Sequence, residues 1–201
     1  MVYASGSEPP GWSGWVSLYK IDPEAGTNSV IGTETVTNYT LMRPSPDRTT
    51  VAICEGDISD GRWGAIDVGS GTVTMRDGYA DGTSWFNYDM AAASSGSEFA
   101  IPTAGGLFIY DNTYTKQYNI AQGYAGVAYS PKDGLLYATL ENSDEIQIFD
   151  PKTYLQVGSF HTGMTISAYG NLEFKPGILR FSRDGTLLFE AVPGGVLYFK
   201  R

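Results

Sequence analysis

One histidine, His161, is the only imidazole in the 201-residue chain. An imidazole titrates near neutrality, so His161 is the first candidate for a general base or a metal ligand. It follows the strand-like run 156–160 and opens the longest irregular connection, residues 162–177. That connection carries Glu173, a carboxylate able to complete a catalytic dyad. The competing reading is a plain surface residue in a turn, because one histidine without assembled partners is weak evidence of a site. Asp57 and Asp60, in the run 55–61 that also holds Glu55 and Ser59 around Gly56 and Gly61, concentrate the oxygen donors that a hard cation such as calcium requires. The glycine is one residue off the EF-hand spacing and no bidentate glutamate follows at the right distance, so a solvated turn accounts for the same residues. Trp12, Trp63 and Trp85 are the aromatic candidates. Exposed together they would stack on sugar rings or anchor a protein partner; between packed elements they are core. No P-loop, nucleophile elbow, dinucleotide fingerprint or HExxH is found, and no cofactor is predicted.

The elements that must position these residues are short and repeated. Asp22, Asp67, Asp111 and Asp150 each close an apolar run, at spacings of 45, 44 and 39 residues. A strand-rich unit of about 40–45 residues predicts the blade of a β-propeller. An aspartate that recurs at one phase is expected to cap the following turn, since a catalytic group is needed once. The clearest unit reads as four strands: 124–130, 135–140, 145–150 and 154–160. Turns at 131–134, 141–144 and 151–153 join them. Residues 45–47 and 182–185 repeat the first turn. Phasing the whole chain gives units of about 1–37, 38–80, 81–121, 122–162 and 172–201, with 3, 4, 4, 4 and 3 strands. The expected fold is therefore all-β: a propeller of about five four-stranded antiparallel blades, the first and last incomplete. Three outcomes fit that tally: an incomplete ring, a fragment of a larger propeller, or partial propellers that self-associate through their incomplete blades.

Composition agrees. With 42% hydrophobic residues the chain can bury a core, and 25 glycines beside 14 tyrosines suit short strands joined by tight turns. The net charge of −9 argues against nucleic acid or an anionic membrane as partner through the overall field. Cys54 is the only cysteine, which excludes an intramolecular disulfide, and its apolar surroundings suggest a buried, inert thiol. No apolar run approaches the length of a membrane span. The opening residues do not read as a secretory signal, although a leader removed before Met1 would leave no trace.

Residues 130–138, Ser-Pro-Lys-Asp-Gly-Leu-Leu-Tyr-Ala, resemble the SPDGxxLYV phrase of bacterial YVTN-type propellers. Residues 141–150 are similar to the N-x-x-x-x-V-x-V-I-D part of that repeat, and residues 182–189 to its first phrase. The resemblance is sharp over about a third of the chain. It implies the fold and an exported, periplasmic or cell-surface location, and says little about activity. The superfamily includes cytochrome d1-like and amine-dehydrogenase-like propellers, lactonases and surface proteins. The Trp-Asp and Gly-His signals of WD40 repeats are missing, and one histidine does not supply a lactonase ligand set. Three readings follow. The first is a non-catalytic binding or scaffold module for a protein or carbohydrate ligand. The second is a propeller enzyme, a lactonase or other hydrolase, with a site on one face. The third is a carbohydrate-binding propeller.

Overall fold

The computed structural model describes residues 1–6, 15–37, 40–56, 61–77, 87–103, 105–167 and 176–201. Among these, eighteen strands form five antiparallel sheets in which each strand pairs with its neighbour in sequence. Blade 1 is β1 (Val2–Ser5), β2 (Trp15–Asp22) and β3 (Thr27–Thr37). Blade 2 is β4 (Thr40–Pro44), β5 (Thr50–Glu55), β6 (Trp63–Asp67) and β7 (Val73–Arg76). Blade 3 is β8 (Ala91–Ala92), β9 (Glu98–Thr103), β10 (Gly106–Asp111) and β11 (Lys116–Ile120). Blade 4 is β12 (Tyr124–Tyr129), β13 (Leu136–Leu140), β14 (Ser143–Phe149) and β15 (Gln156–Ile166). Blade 5 is β16 (Leu179–Phe181), β17 (Leu187–Val192) and β18 (Gly195–Lys200). The 3-4-4-4-3 pattern is the one the repeat predicts.

The first strands of blades 2 to 5 meet at a hub: β4 touches β8, and β12 touches both β8 and β16. Burial follows from that geometry. All of β12, Tyr-Ala-Gly-Val-Ala-Tyr, is buried, whereas the outer strand β15 alternates between exposed and half-buried residues. Strands covered on both faces carry continuous small or apolar runs, and strands covered on one face alternate. Gly126 shows why β12 is built from small residues. A Cβ there would lie 2.2 Å from the Gly177 carbonyl oxygen, which also accepts the Thr139 hydroxyl at 2.8 Å.

Apolar clusters seal the seams between blades. Val16 and Leu18 of blade 1 pack on Val51, Ile53 and Ile66 of blade 2. Cys54 and Trp63 of blade 2 pack on Phe99, Ile101 and Tyr110 of blade 3, which places the lone thiol in the core. Ile109 of blade 3 meets Val127 and Leu136 of blade 4, and Ile146 of blade 4 meets Leu188 of blade 5.

The four recurring aspartates cap turns. Asp22 Oδ1 accepts the N–H groups of Glu24 and Ala25, both at 3.0 Å, and Asp67 Oδ1 accepts that of Ser70 at 2.6 Å. Asp111 Oδ1 accepts from Thr113 at 2.8 Å and Thr115 at 3.0 Å, and Asp150 Oδ1 from Lys152 at 2.8 Å. Donated N–H groups hold Asp22 and Asp67 below the usual carboxylate range, and the Thr113 hydroxyl, with the Thr115 N–H, does the same for Asp111.

One connection differs from expectation. The outer strand of blade 4 does not end before His161 but runs on to Ile166, with His161 opposite Glu145 and Ile166 opposite Ser143. The reason is a period-two pattern that continues past Phe160: Thr162, Met164 and Ile166 turn inward while His161, Gly163 and Thr165 face out.

Candidate functional site

The hub carries a charged centre that no sequence motif marks. Asp89 lies just before β8, at the start of blade 3, with its side chain 0% exposed. Arg43 Nε, from β4, donates to Asp89 Oδ1 at 2.9 Å. Arg180, from β16, donates through Nη2 to Oδ1 and through Nη1 to Oδ2, both at 3.0 Å. The Val127 N–H of β12 reaches Oδ2 at 3.4 Å. One carboxylate thus holds the inner strands of three other blades. Burial pushes the Asp89 carboxyl up to about 6, with the Arg43 guanidinium pulling it back, so it is ionised at neutral pH.

Above this centre is a cavity of about 120 Å³. Met90, Ala91, Val127 and Leu179 supply apolar wall, and Arg43 and Arg180 its charged side. It opens between the turns that follow the first strands, where Arg48 and Arg183 also line it. These turns are closed by their own hydrogen bonds. Asp47 Oδ1 accepts the Ser45 hydroxyl at 2.7 Å and Asp184 Oδ1 the Ser182 hydroxyl at 2.7 Å, and both carboxyls are lowered to about 2. Asp47 Oδ2 also accepts the Ser95 N–H of the next blade at 2.7 Å. A second groove borders the same face. There Glu98 of blade 3 accepts the Tyr129 and Tyr154 hydroxyls of blade 4, the latter at 3.1 Å.

The two sequence candidates among the described residues, His161 and Trp63, do not line this hub cavity. His161 is 69% exposed on the outer strand of blade 4, its Nδ1 2.8 Å from Asp144 Oδ1. That pairing raises the imidazole and lowers the carboxyl. Trp63 is 1% exposed and packs against Tyr110 and Tyr114 with ring centroids 4.5 and 5.3 Å away, so no face of it is open to a sugar. Glu173, Asp57, Asp60, Trp12 and Trp85 lie outside the described residues. Among the described residues no cluster of three or more His, Cys, Asp or Glu side chains is placed to hold a metal ion. No described helix is long and apolar enough to cross a membrane.

Glu190 was also missed. It is 0% exposed on β17, on the same face as Leu188 and Val192, and neither carboxylate oxygen has a well-formed hydrogen bond. Burial pushes its carboxyl up to about 7; the Thr162 hydroxyl opposes the rise and the Asp144 carboxylate adds to it. A charged residue at an inward position of a period-two apolar strand was the available signal. Below its ordinary value of 4.5, Glu190 is neutral folded and unfolded. As pH rises the unfolded carboxyl ionises first, so stability declines up to about pH 7 and then levels. Glu190→Gln is expected to raise stability at pH 8 by about 1–3 kcal/mol and to flatten this decline. Urea midpoints at pH 5 and pH 8 measure both effects.

Five antiparallel blades, with the first strands of blades 2 to 5 meeting at a hub, define a propeller-type protein. Among solved structures, the chain is similar to Kuenenia stuttgartiensis hydrazine synthase, with 17% identity and a TM-score of 0.57 over 79% of this chain and 45% of that one. It is also similar to the dihydro-heme d1 dehydrogenase NirN in complex with DHE, with 13% identity and a TM-score of 0.62 over 92% of this chain and 39% of that one. At these identities the likeness is one of fold, and the chain spans less than half the length of either. No protein-family model matches the chain, and no curated protein does.

Proposed function

We propose that the chain is a non-catalytic binding module of the propeller type, with its ligand seated in the hub cavity. The carrying observation is a concave site walled by residues of four blades, bordered by the two arginines of the Asp89 centre and entered between hydrogen-bonded turns. Such pre-formed clefts with a few convergent polar groups are the usual form of ligand sites. The YVTN-like resemblance supports an exported or surface location for such a module. In a screen of small fragments followed by backbone amide shifts, hits are expected to cluster on Met90, Val127 and Ala128. Hits confined to the outer strands would sink the proposal.

An enzyme is the second reading. Its support is Glu190, a buried carboxyl near neutral in titration, in the electrostatic range of the Asp144–His161 pair. Complete burial of Glu190 speaks against direct contact with a substrate. On a panel of lactone and ester substrates, we expect no turnover that separates the parent from His161→Ala. Robust turnover lost in that variant would replace the binding reading with the enzymatic one.

A further inference from the structure

We propose that the hub cavity binds the oxyanion head group of its ligand, a carboxylate or a phosphate, through Arg48 and Arg183. The inference rests on the hub reading above and names the chemistry of the ligand. The chain has only seven arginines, and four of them, Arg43, Arg48, Arg180 and Arg183, line this one cavity. In a protein of net charge −9 that concentration is local and opposes the overall field.

The charges do not cancel. Asp89 is a single carboxylate, and it is shared by two of the guanidinium groups, Arg43 and Arg180. Those two retain Nη2 and Nε respectively without a partner among the described residues. The other nearby carboxylates, Asp47 and Asp184, are ionised and hydrogen-bonded within their own turns, so four guanidinium groups stand against three carboxylates. Asp47 accepts from Ser45, Thr49 and Ser95, and Asp184 from Ser182 and Thr186. Arg48 and Arg183 have no ion pair among the described residues.

Size and shape narrow the ligand further. A concave site with low-dielectric walls focuses the field of the charges that line it. A guanidinium presents a planar fork of N–H donors that matches a carboxylate or a phosphate in pairs. A cavity of about 120 Å³ accommodates one such head group and leaves the rest of a larger ligand in the opening between the turns.

The test is titration calorimetry on the folded chain with inorganic phosphate, with succinate and with glucose as the neutral probe, at low and high salt. Phosphate and succinate distinguish the two sources of the oxyanion. The parent, an Arg48→Gln/Arg183→Gln double variant and a Lys20→Gln charge control are compared, each first shown to melt cooperatively. Amide shifts at Val127 and Ala128 report the place of binding. At least one oxyanion is expected to bind and shift those amides, more weakly at high salt. Its affinity should fall about tenfold or more in the double variant and little in the control. Equal affinity in parent and double variant, or an equal loss in the control, overturns the oxyanion site. Glucose shifting those amides while both oxyanions fail overturns it too, and leaves the hub reading standing. If the oxyanions leave those amides unmoved and the fragment screen also places nothing there, both readings fall.

Discussion

Asp89→Ala is expected to destabilise the protein by about 3–5 kcal/mol, one of the two largest effects of any single substitution considered for it. The carboxylate is fully buried and accepts from Arg43, Arg180 and the Val127 N–H. Removing it leaves two guanidinium groups facing each other across the hub with no counter-charge. Both arginines keep some access to water, with side chains 19% and 35% exposed, which moves the expectation toward the lower end of that range. Asp89→Asn should also destabilise, since an amide cannot accept with both of its polar atoms and presents N–H donors to a guanidinium. The decisive comparison is a triple replacement, Arg43→Met/Asp89→Leu/Arg180→Met. Buried ion pairs are often matched in stability by well-packed apolar groups of similar volume. The triple variant is therefore expected to recover most of the loss in urea unfolding. If Asp89→Ala shifts the midpoint no more than a surface substitution does, the hub is not held by this centre.

Trp63→Ala is expected to cost about 3–5 kcal/mol for a different reason. Trp63 belongs to β6 of blade 2, but its ring partners Phe99, Tyr110 and Tyr114 belong to blade 3. Phe99 and Tyr114 also stack on each other, with centroids 5.4 Å apart and planes 11° from parallel. Truncation would empty the seam between the two blades and remove the transfer energy of an indole together with its aromatic contacts. Trp63→Phe keeps a ring in the seam and should lose clearly less. Near-UV circular dichroism should report loosening of the seam before the far-UV strand signal changes. A Trp63→Ala protein as stable as its parent would show that the seam collapses without cost.

The architecture was legible because its causes are local. Asp22, Asp67, Asp111 and Asp150 cap turns through their own neighbouring N–H groups, so their phase in the chain marks each strand end directly. The Ser-Pro and Ser-Arg turns at 45–47 and 182–184 close through hydroxyl-to-carboxylate bonds two residues apart, which again needs no distant partner. The buried strands β5 and β12 announce themselves as apolar or small-residue runs. The expected end of the repeat unit puts His161 in a loop, yet the alternation that carries β15 on to Ile166 is present in the residues beyond it.

The candidate site was not legible, and the reason is sequence separation. Arg43 and Asp89 are 46 residues apart, and Asp89 and Arg180 are 91. Each stands beside ordinary apolar strand residues, and none sits in a motif. The amino-acid sequence alone determined the repeat, the strand count, the turn caps and the acidic net charge, because these depend on composition and on interactions a few residues long. Only the tertiary structure decided that four arginines share one cavity, that Trp63 is a seam residue, and that Glu190 is buried without a well-formed hydrogen bond. Those facts depend on how blades close around a hub, where contacts between residues remote in sequence are selected by packing and by the cost of burying charge.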